Sequence, residues 1–279
     1  MPSSLFRREA GLARGLDSSL SRRTFFQRTV AAFGTAWIAR ACLAETQPAS
    51  PPPLPSCTVR ILYEGPQMEP KPVDCSDDPY CAQVFRKSPL MDDALLVGKK
   101  NELRNVFVSV VKGLPKDYRC PQPDKPVVVD QKCWFIPRIF AVLAGQRLVF
   151  ANNSRTLEVP HGYPERNKEF SFNVPEGQQR DITLEHPETF RVKCDVHPWE
   201  LAWCHVMAHP FFALSDDKGA AALYGLPAGE YELRFWHERL EAQTAAVRIE
   251  PQRTTHIDDI TLKPRRRRVR HEPQTQPDI

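Results

Sequence analysis

The chain has 279 residues, 27 prolines, 8 cysteines, 8 histidines and a formal net charge of +4. The first 44 residues are net +5 and residues 263–279 net +4, which leaves the body between them at −5. A mildly acidic body with basic ends carries no compositional sign of a nucleic-acid binder, and the proline content with few long helical periods argues against a helix bundle.

Near the N-terminus, Ser21-Arg22-Arg23-Thr24-Phe25-Phe26-Gln27 sets two arginines before two aromatics. An apolar run from Thr29 to Leu43 follows, and Cys42-Leu43-Ala44 offers small residues for a signal peptidase. Residues 1–44 resemble a twin-arginine signal peptide, which implies export to the periplasm or cell exterior. The competing reading is a cytosolic amphipathic helix that happens to carry an arginine pair. The run is short and interrupted by Arg40, so no integral membrane segment is expected after signal cleavage. Residues 45–55, "ETQPASPPPLP", read as an extended proline-rich linker.

Cleavage would leave seven cysteines, Cys57, Cys75, Cys81, Cys120, Cys133, Cys194 and Cys204. In an oxidising compartment cysteines pair, and an odd number leaves at least one over. Strands are predicted at Cys57–Gly65 and Asn105–Gly113, with a helical turn or two within Phe85–Leu103. Further strands follow at Pro126–Gln131, Ile139–Asn153 (turning at Gly145-Gln146), Glu169–Val174, Arg180–Glu185, Thr189–Cys194 and Leu201–Met207. These runs are β-branched or aromatic, partly of period two, and separated by Gly, Pro or Asn at sandwich spacing. After His209 the chain reads strand, Asp-x-x-Gly turn, strand, Pro-x-Gly turn, strand, with "AAVRIE" (Ala245–Glu250) as another strand. Residues 263–279 have no apolar periodicity and read as a basic disordered tail.

"KCDVHPWELAWCH", Lys193–His205, concentrates two cysteines, two histidines and a glutamate on a loop between two predicted strands. A thiolate and an imidazole three residues apart can face one ion. His161, after the strand "RLVFANN", is the candidate second imidazole. One sulfur and two nitrogens with a weak axial ligand describe a blue-copper site. Two other readings stay open: a Cys194–Cys204 disulfide, and a tetrahedral zinc site from Cys194, His197, Cys204 and His205. The second asks adjacent Cys204 and His205 to face one ion from opposite faces of a strand.

"CDVHPWE" and "GQRLVFANN…VPHG" resemble the copper loop and first-histidine segment of amicyanin-type cupredoxins, over roughly Asp124–Met207. The resemblance implies one mononuclear copper held by His161, Cys194 and His197, with Glu200 where the family has its axial methionine. A carboxylate there favours Cu(II) over Cu(I), and makes zinc a second candidate. "SDDKG…LPAGEY" resembles a carboxypeptidase regulatory-like, transthyretin-like β-sandwich. The span Cys57–Glu250 also resembles exported bacterial proteins that combine both parts, in which the counterparts of Cys81 and Cys133 look like disulfide partners.

The expectation is therefore an all-β protein, a Greek-key cupredoxin sandwich (residues 119–208) inserted in or packed beside a smaller sandwich built from residues 56–118 and 209–262. The expected function is periplasmic one-electron transfer with an unidentified redox partner protein. Non-redox copper or zinc binding or delivery, and a metal-free interaction module, are the alternatives. No nucleophile elbow and no spaced pair of carboxylates argues for an enzyme. Cys194 is expected to stay a free thiol or ligand while most of the other cysteines pair.

Overall fold

The computed structural model describes residues 56–265; the twin-arginine segment, the linker and the tail beyond residue 265 lie outside them. The described residues are all-β. In chain order the elements are β1 (Cys57–Tyr63), α1 (Pro79–Val84), β2 (Phe107–Lys112), β3 (Val127–Gln131), β4 (Phe135–Ile136), β5 (Ile139–Leu143), β6 (Arg147–Asn152), β7 (Pro160–Gly162) and β8 (Phe170–Ser171). They continue with β9 (Gln179–Thr183), β10 (Glu188–Cys194), β11 (Leu201–Met207), β12 (Phe212–Leu214), β13 (Ala220–Leu223), β14 (Gly229–Trp236), β15 (Gln243–Ile249), β16 (Thr255–His256) and β17 (Ile260–Leu262). Among the described residues no helix is long and apolar enough to cross a membrane.

Four sheets form around two main cores. β1 is flanked by β13 on one side and by β16 and β17 on the other, while β12, β2, β14 and β15 form a second sheet. Ile61, Val108, Leu223, Leu233 and Ile249 from these strands share one core. The other two sheets run β5-β11-β10-β7-β8 and β4-β3-β6-β9. Their core is built from Phe140, Leu148, Phe150, Phe190, Val192 and Cys204. Period-two burial explains the faces: β1 alternates buried and less buried residues from end to end, and so does β10. Gly219 adopts φ +70°, and a side chain there would collide with the Ile61 carbonyl, so the Asp216–Gly219 turn needs glycine to lie against β1.

β12 returns antiparallel to β2, with Phe212 opposite Ser109 and the Val110 N–H donating to the Phe211 carbonyl at 3.2 Å. The whole segment from β3 to β11 therefore leaves and rejoins the first pair of sheets at adjacent strands. Between the two pairs of sheets, Phe107, Trp236 and Phe212 pack against Ile139, Trp203 and Met207.

The helix differs from expectation. α1 ends at Val84, and no helix occupies Phe85–Leu103. Asp78 caps α1 by accepting the Cys81 N–H at 2.8 Å, and Pro79 suits the first turn. Beyond Phe85 the chain runs through turns and bends and makes single bridges, Pro72 with Met91 and Val97 with Leu103. The described residues include 263–265, part of the expected tail. The Lys263 carbonyl accepts the Glu241 N–H, and Arg265 Nε donates to the Leu240 carbonyl at 3.0 Å.

Candidate metal centre

Cys194 ends β10 with its side chain in the core of the second sandwich. The loop that follows is short and tightly closed. The Glu200 N–H donates to the His197 carbonyl at 3.0 Å, and the Asp195 N–H to the Val159 carbonyl at 3.0 Å. This turn folds His197 and Glu200 inward beneath β7. Glu158 comes from the strand-like stretch before β7 and bridges to Val174.

Glu158, Cys194, His197 and Glu200 are all buried, and a ligand atom from each lies within 4.8 Å of the others. His197 Nδ1 lies 2.9 Å from Glu158 Oε2 and 3.1 Å from Glu200 Oε1. Cys194 Sγ lies 3.5 Å from both His197 Nδ1 and Glu158 Oε2. The Val159 N–H donates to Cys194 Sγ at 3.3 Å. Glu158 is further fixed by the Ser154 hydroxyl, which donates to Oε1 at 2.9 Å. Ser154 is held in turn by Asn152.

The electrostatics are those of an anion cluster around one imidazole. Burial pulls the His197 pKa down, but its acceptors Cys194, Glu158 and Glu200 outweigh that and push it up to about 12. Burial, reinforced by the charge of Glu158 and opposed by His197, raises Glu200 to about 7. The Cys194 thiol is pushed up chiefly by burial and is partly restored by its contact with His197. Glu200 Oε1 faces only His197 Nδ1, and the equally buried Oε2 has no hydrogen-bond partner. A buried carboxylate oxygen without a donor is costly, and a cation between it and its neighbours would remove that cost.

Of the four expected ligands, Cys194, His197 and Glu200 meet and His161 stands apart. His161 Nδ1 contacts Asp195 at 2.8 Å and Nε2 contacts Glu169 at 2.7 Å, while its ring stacks on Tyr163. Burial lowers its pKa, but these two carboxylates reverse the shift and raise it. The reason is register. β7 pairs with β10 so that Pro160 lies opposite Cys194 and His161 opposite Lys193. Opposed residues share a face, so His161 points outward with Lys193 while Cys194 points inward. Glu158, two residues before Pro160, has the parity that reaches the thiol. The sequence holds that signal only in the alternation of Glu158, Pro160 and Gly162, which cannot be used before the pairing with β10 is known.

The other open arrangements are resolved by the same alternation. Cys204 lies in the core while His205 faces the opposite side and stacks on Phe107 at 3.8 Å. Cys194 and Cys204 are both free thiols. A Cys81–Cys133 disulfide is present, with Cys57, Cys75 and Cys120 also free. The expectation that most cysteines other than Cys194 pair is thus corrected. Cys57 and Cys204 sit in different cores, where each packs as a small apolar side chain.

No protein-family profile matches the chain, and no curated protein sequence matches it. Among solved structures it is similar to a purple cupredoxin from Nitrosopumilus maritimus at 13% identity and TM-score 0.27, over 29% of this chain and 99% of that one. It is similar to amicyanin from Paracoccus versutus at 18% identity and TM-score 0.28, over 36% of this chain and 97% of that one. It is also similar to a copper-containing nitrite reductase from Thermus scotoductus at 17% identity and TM-score 0.29, over 34% of this chain and 25% of that one. These neighbours are cupredoxins and a copper enzyme met at low scores over a third of the chain, so the chemistry of the centre is read from its own side chains.

Proposed function

We propose that this is an exported, non-redox metal-binding protein in which Glu158, Cys194, His197 and Glu200 hold one divalent transition-metal ion, zinc in preference to copper. The observation that carries the reading is the donor set, one thiolate, one imidazole and two buried carboxylates, with Glu200 Oε2 lacking a hydrogen-bond partner. Zinc takes these three donor types in closed four-ligand structural sites, whereas a catalytic zinc keeps an open position. Trigonal blue copper uses two imidazoles and a thiolate, and the second imidazole is directed elsewhere. One-electron transfer is therefore the less favoured reading. Copper held without turnover remains the second, supported by the thiolate–imidazole pair at 3.5 Å.

Export is supported by the twin-arginine segment, and the proposed domains follow the strand pairing, a sandwich of residues 119–208 set within one of residues 56–118 and 209–262. The sandwich of residues 56–118 and 209–262 is proposed as a packing scaffold.

The test is metal analysis and visible absorption of protein exported through its own signal. One zinc per chain and no colour supports the reading. Stoichiometric copper with an intense blue thiolate-to-copper band would replace it with electron transfer. Unchanged metal content in Cys194→Ser and Glu158→Gln variants would show that these residues are not the site.

A further inference from the structure

We propose that Asp78 is a positioning residue for the ligand His197, and that the Cys81–Cys133 disulfide keeps it there. The proposal rests on the reading of the centre given above. His197 turns Nδ1 toward Cys194, Glu158 and Glu200, and its far nitrogen, Nε2, faces Asp78 Oδ2 at 3.6 Å. At that distance the contact is electrostatic rather than a hydrogen bond. A carboxylate on this side favours the tautomer with its proton on Nε2, which leaves the Nδ1 lone pair for an ion and makes it more basic. Its charge also adds to the negative potential around the site.

Asp78 is fixed from two directions. Its Oδ1 accepts the Cys81 N–H at 2.8 Å as the cap of α1, and its Oδ2 accepts the Thr156 hydroxyl at 2.8 Å. Thr156 lies on the turn that carries Glu158, so one carboxylate touches both the helix and the segment of a second ligand.

The disulfide holds the same loop again. Cys81 in α1 is bonded to Cys133, and the Cys133 carbonyl accepts the indole N–H of Trp199 at 3.0 Å. Trp199 sits between His197 and Glu200 in the chain. One half of the disulfide thus anchors Asp78 behind His197, and the other anchors the residue next to Glu200. Cys133 itself takes φ +63°, a left-handed conformation uncommon for a residue with a side chain, and this turn presents its carbonyl to the loop. α1 falls between β1 and β2 in the chain, so the disulfide ties an excursion of one sandwich to the ligand loop of the other.

The experiment measures zinc affinity of the exported full chain by chelator competition, together with the thiolate-to-cobalt absorption of the Co(II)-loaded protein. Asp78→Asn removes the charge but keeps a residue that caps helices equally well, so the metal-free melting temperature should change little. Its zinc affinity should fall roughly 10- to 100-fold, and its cobalt band should shift. Thr156→Val, which frees Asp78 without touching α1, should lose affinity in the same direction. So should the Cys81→Ser, Cys133→Ser double variant. A parent that binds both ions alongside Asp78→Asn and Thr156→Val variants of equal affinity and unchanged cobalt spectrum overturns this inference alone. A parent that binds neither ion overturns the reading of the centre and this inference with it.

Discussion

His197 Nδ1 sits 2.9 Å from Glu158 and 3.1 Å from Glu200, where its proton supplies the positive charge that a divalent ion would otherwise supply. Two consequences belong to these residues. Glu158→Ala leaves the buried imidazolium short of a counter-charge and removes one of the acceptors of the Ser154 hydroxyl. Without metal it should cost about 3–5 kcal/mol, the scale of breaking a buried pair, read from urea unfolding in the presence of a chelator. Conversely, Glu158→His with Glu200→Met offers two imidazoles, a thiolate and a thioether, a set suited to copper. The double variant loaded with Cu(II) should gain an intense blue band that the parent lacks. A double variant that binds Cu(II) without the band would show that positions 158 and 197 cannot bring their rings into one trigonal array. Three of the donors were legible in the sequence because Cys194, His197 and Glu200 fall on one turn. The fourth was not, because Glu158 and His161 are equally near the turn in sequence and only the pairing of Pro160 with Cys194 separates their faces.

Among the elements, β11 shows what alternation decides. Cys204 points into the core, while His205 lies between Phe107 and Trp236 with Nδ1 against the Thr189 hydroxyl at 2.9 Å. Burial, helped by Arg234, pulls the His205 pKa from 6.5 down to about 3. His237, just past β14, is lowered to about 4 by burial and by Arg138, Arg239 and Arg265. Both are held neutral in the fold, so below pH 6.5 the unfolded chain binds more protons than the folded one. Their contribution is intact above that pH and is lost as pH falls toward 4, at roughly 1.4 kcal/mol per pH unit for each histidine. Urea midpoints between pH 6.5 and pH 5 should carry this contribution, partly offset by Glu200, whose raised pKa has the opposite sign, and His205→Phe should remove roughly half of the part due to the two histidines. An unchanged slope in that variant would mean that His205 is not held neutral. The strands themselves were readable from β-branched and aromatic alternation. α1 was placed too late: its signal is a capping aspartate followed by proline, Asp78-Pro79, which lies before the expected span Phe85–Leu103.

For the molecule as a whole, the question is what couples the two sandwiches. The segment from β3 to β11 departs after β2 and returns at β12 beside it, so continuity alone would let it pivot on two neighbouring strands. Besides the Cys81–Cys133 disulfide, two non-covalent contacts oppose that. One is the aromatic seam of Phe107, Trp236, Trp203 and Phe212. The other is Arg138, just before β5, which donates from Nη2 to Glu238 Oε1 at 2.7 Å and from Nη1 to Asp93 at 2.9 Å. Glu238, just past β14, also accepts the Trp203 indole N–H at 3.0 Å. Glu238 is 6% exposed and Arg138 15%, so the pair is shielded enough for both charges to depend on each other. Arg138→Ala would strand the Glu238 carboxylate, remove one anchor of the Asp93 segment and loosen the seam. It should destabilise the chain by about 3 kcal/mol, at the lower end for a broken buried pair because Arg138 keeps some solvent. The urea transition, expected to be a single step in the parent, should broaden or divide as the inserted sandwich melts separately from its host. Arg138→Ala with the parent's midpoint and slope would place the non-covalent coupling in the aromatic seam, and Trp236→Ala should then produce the divided transition in its stead.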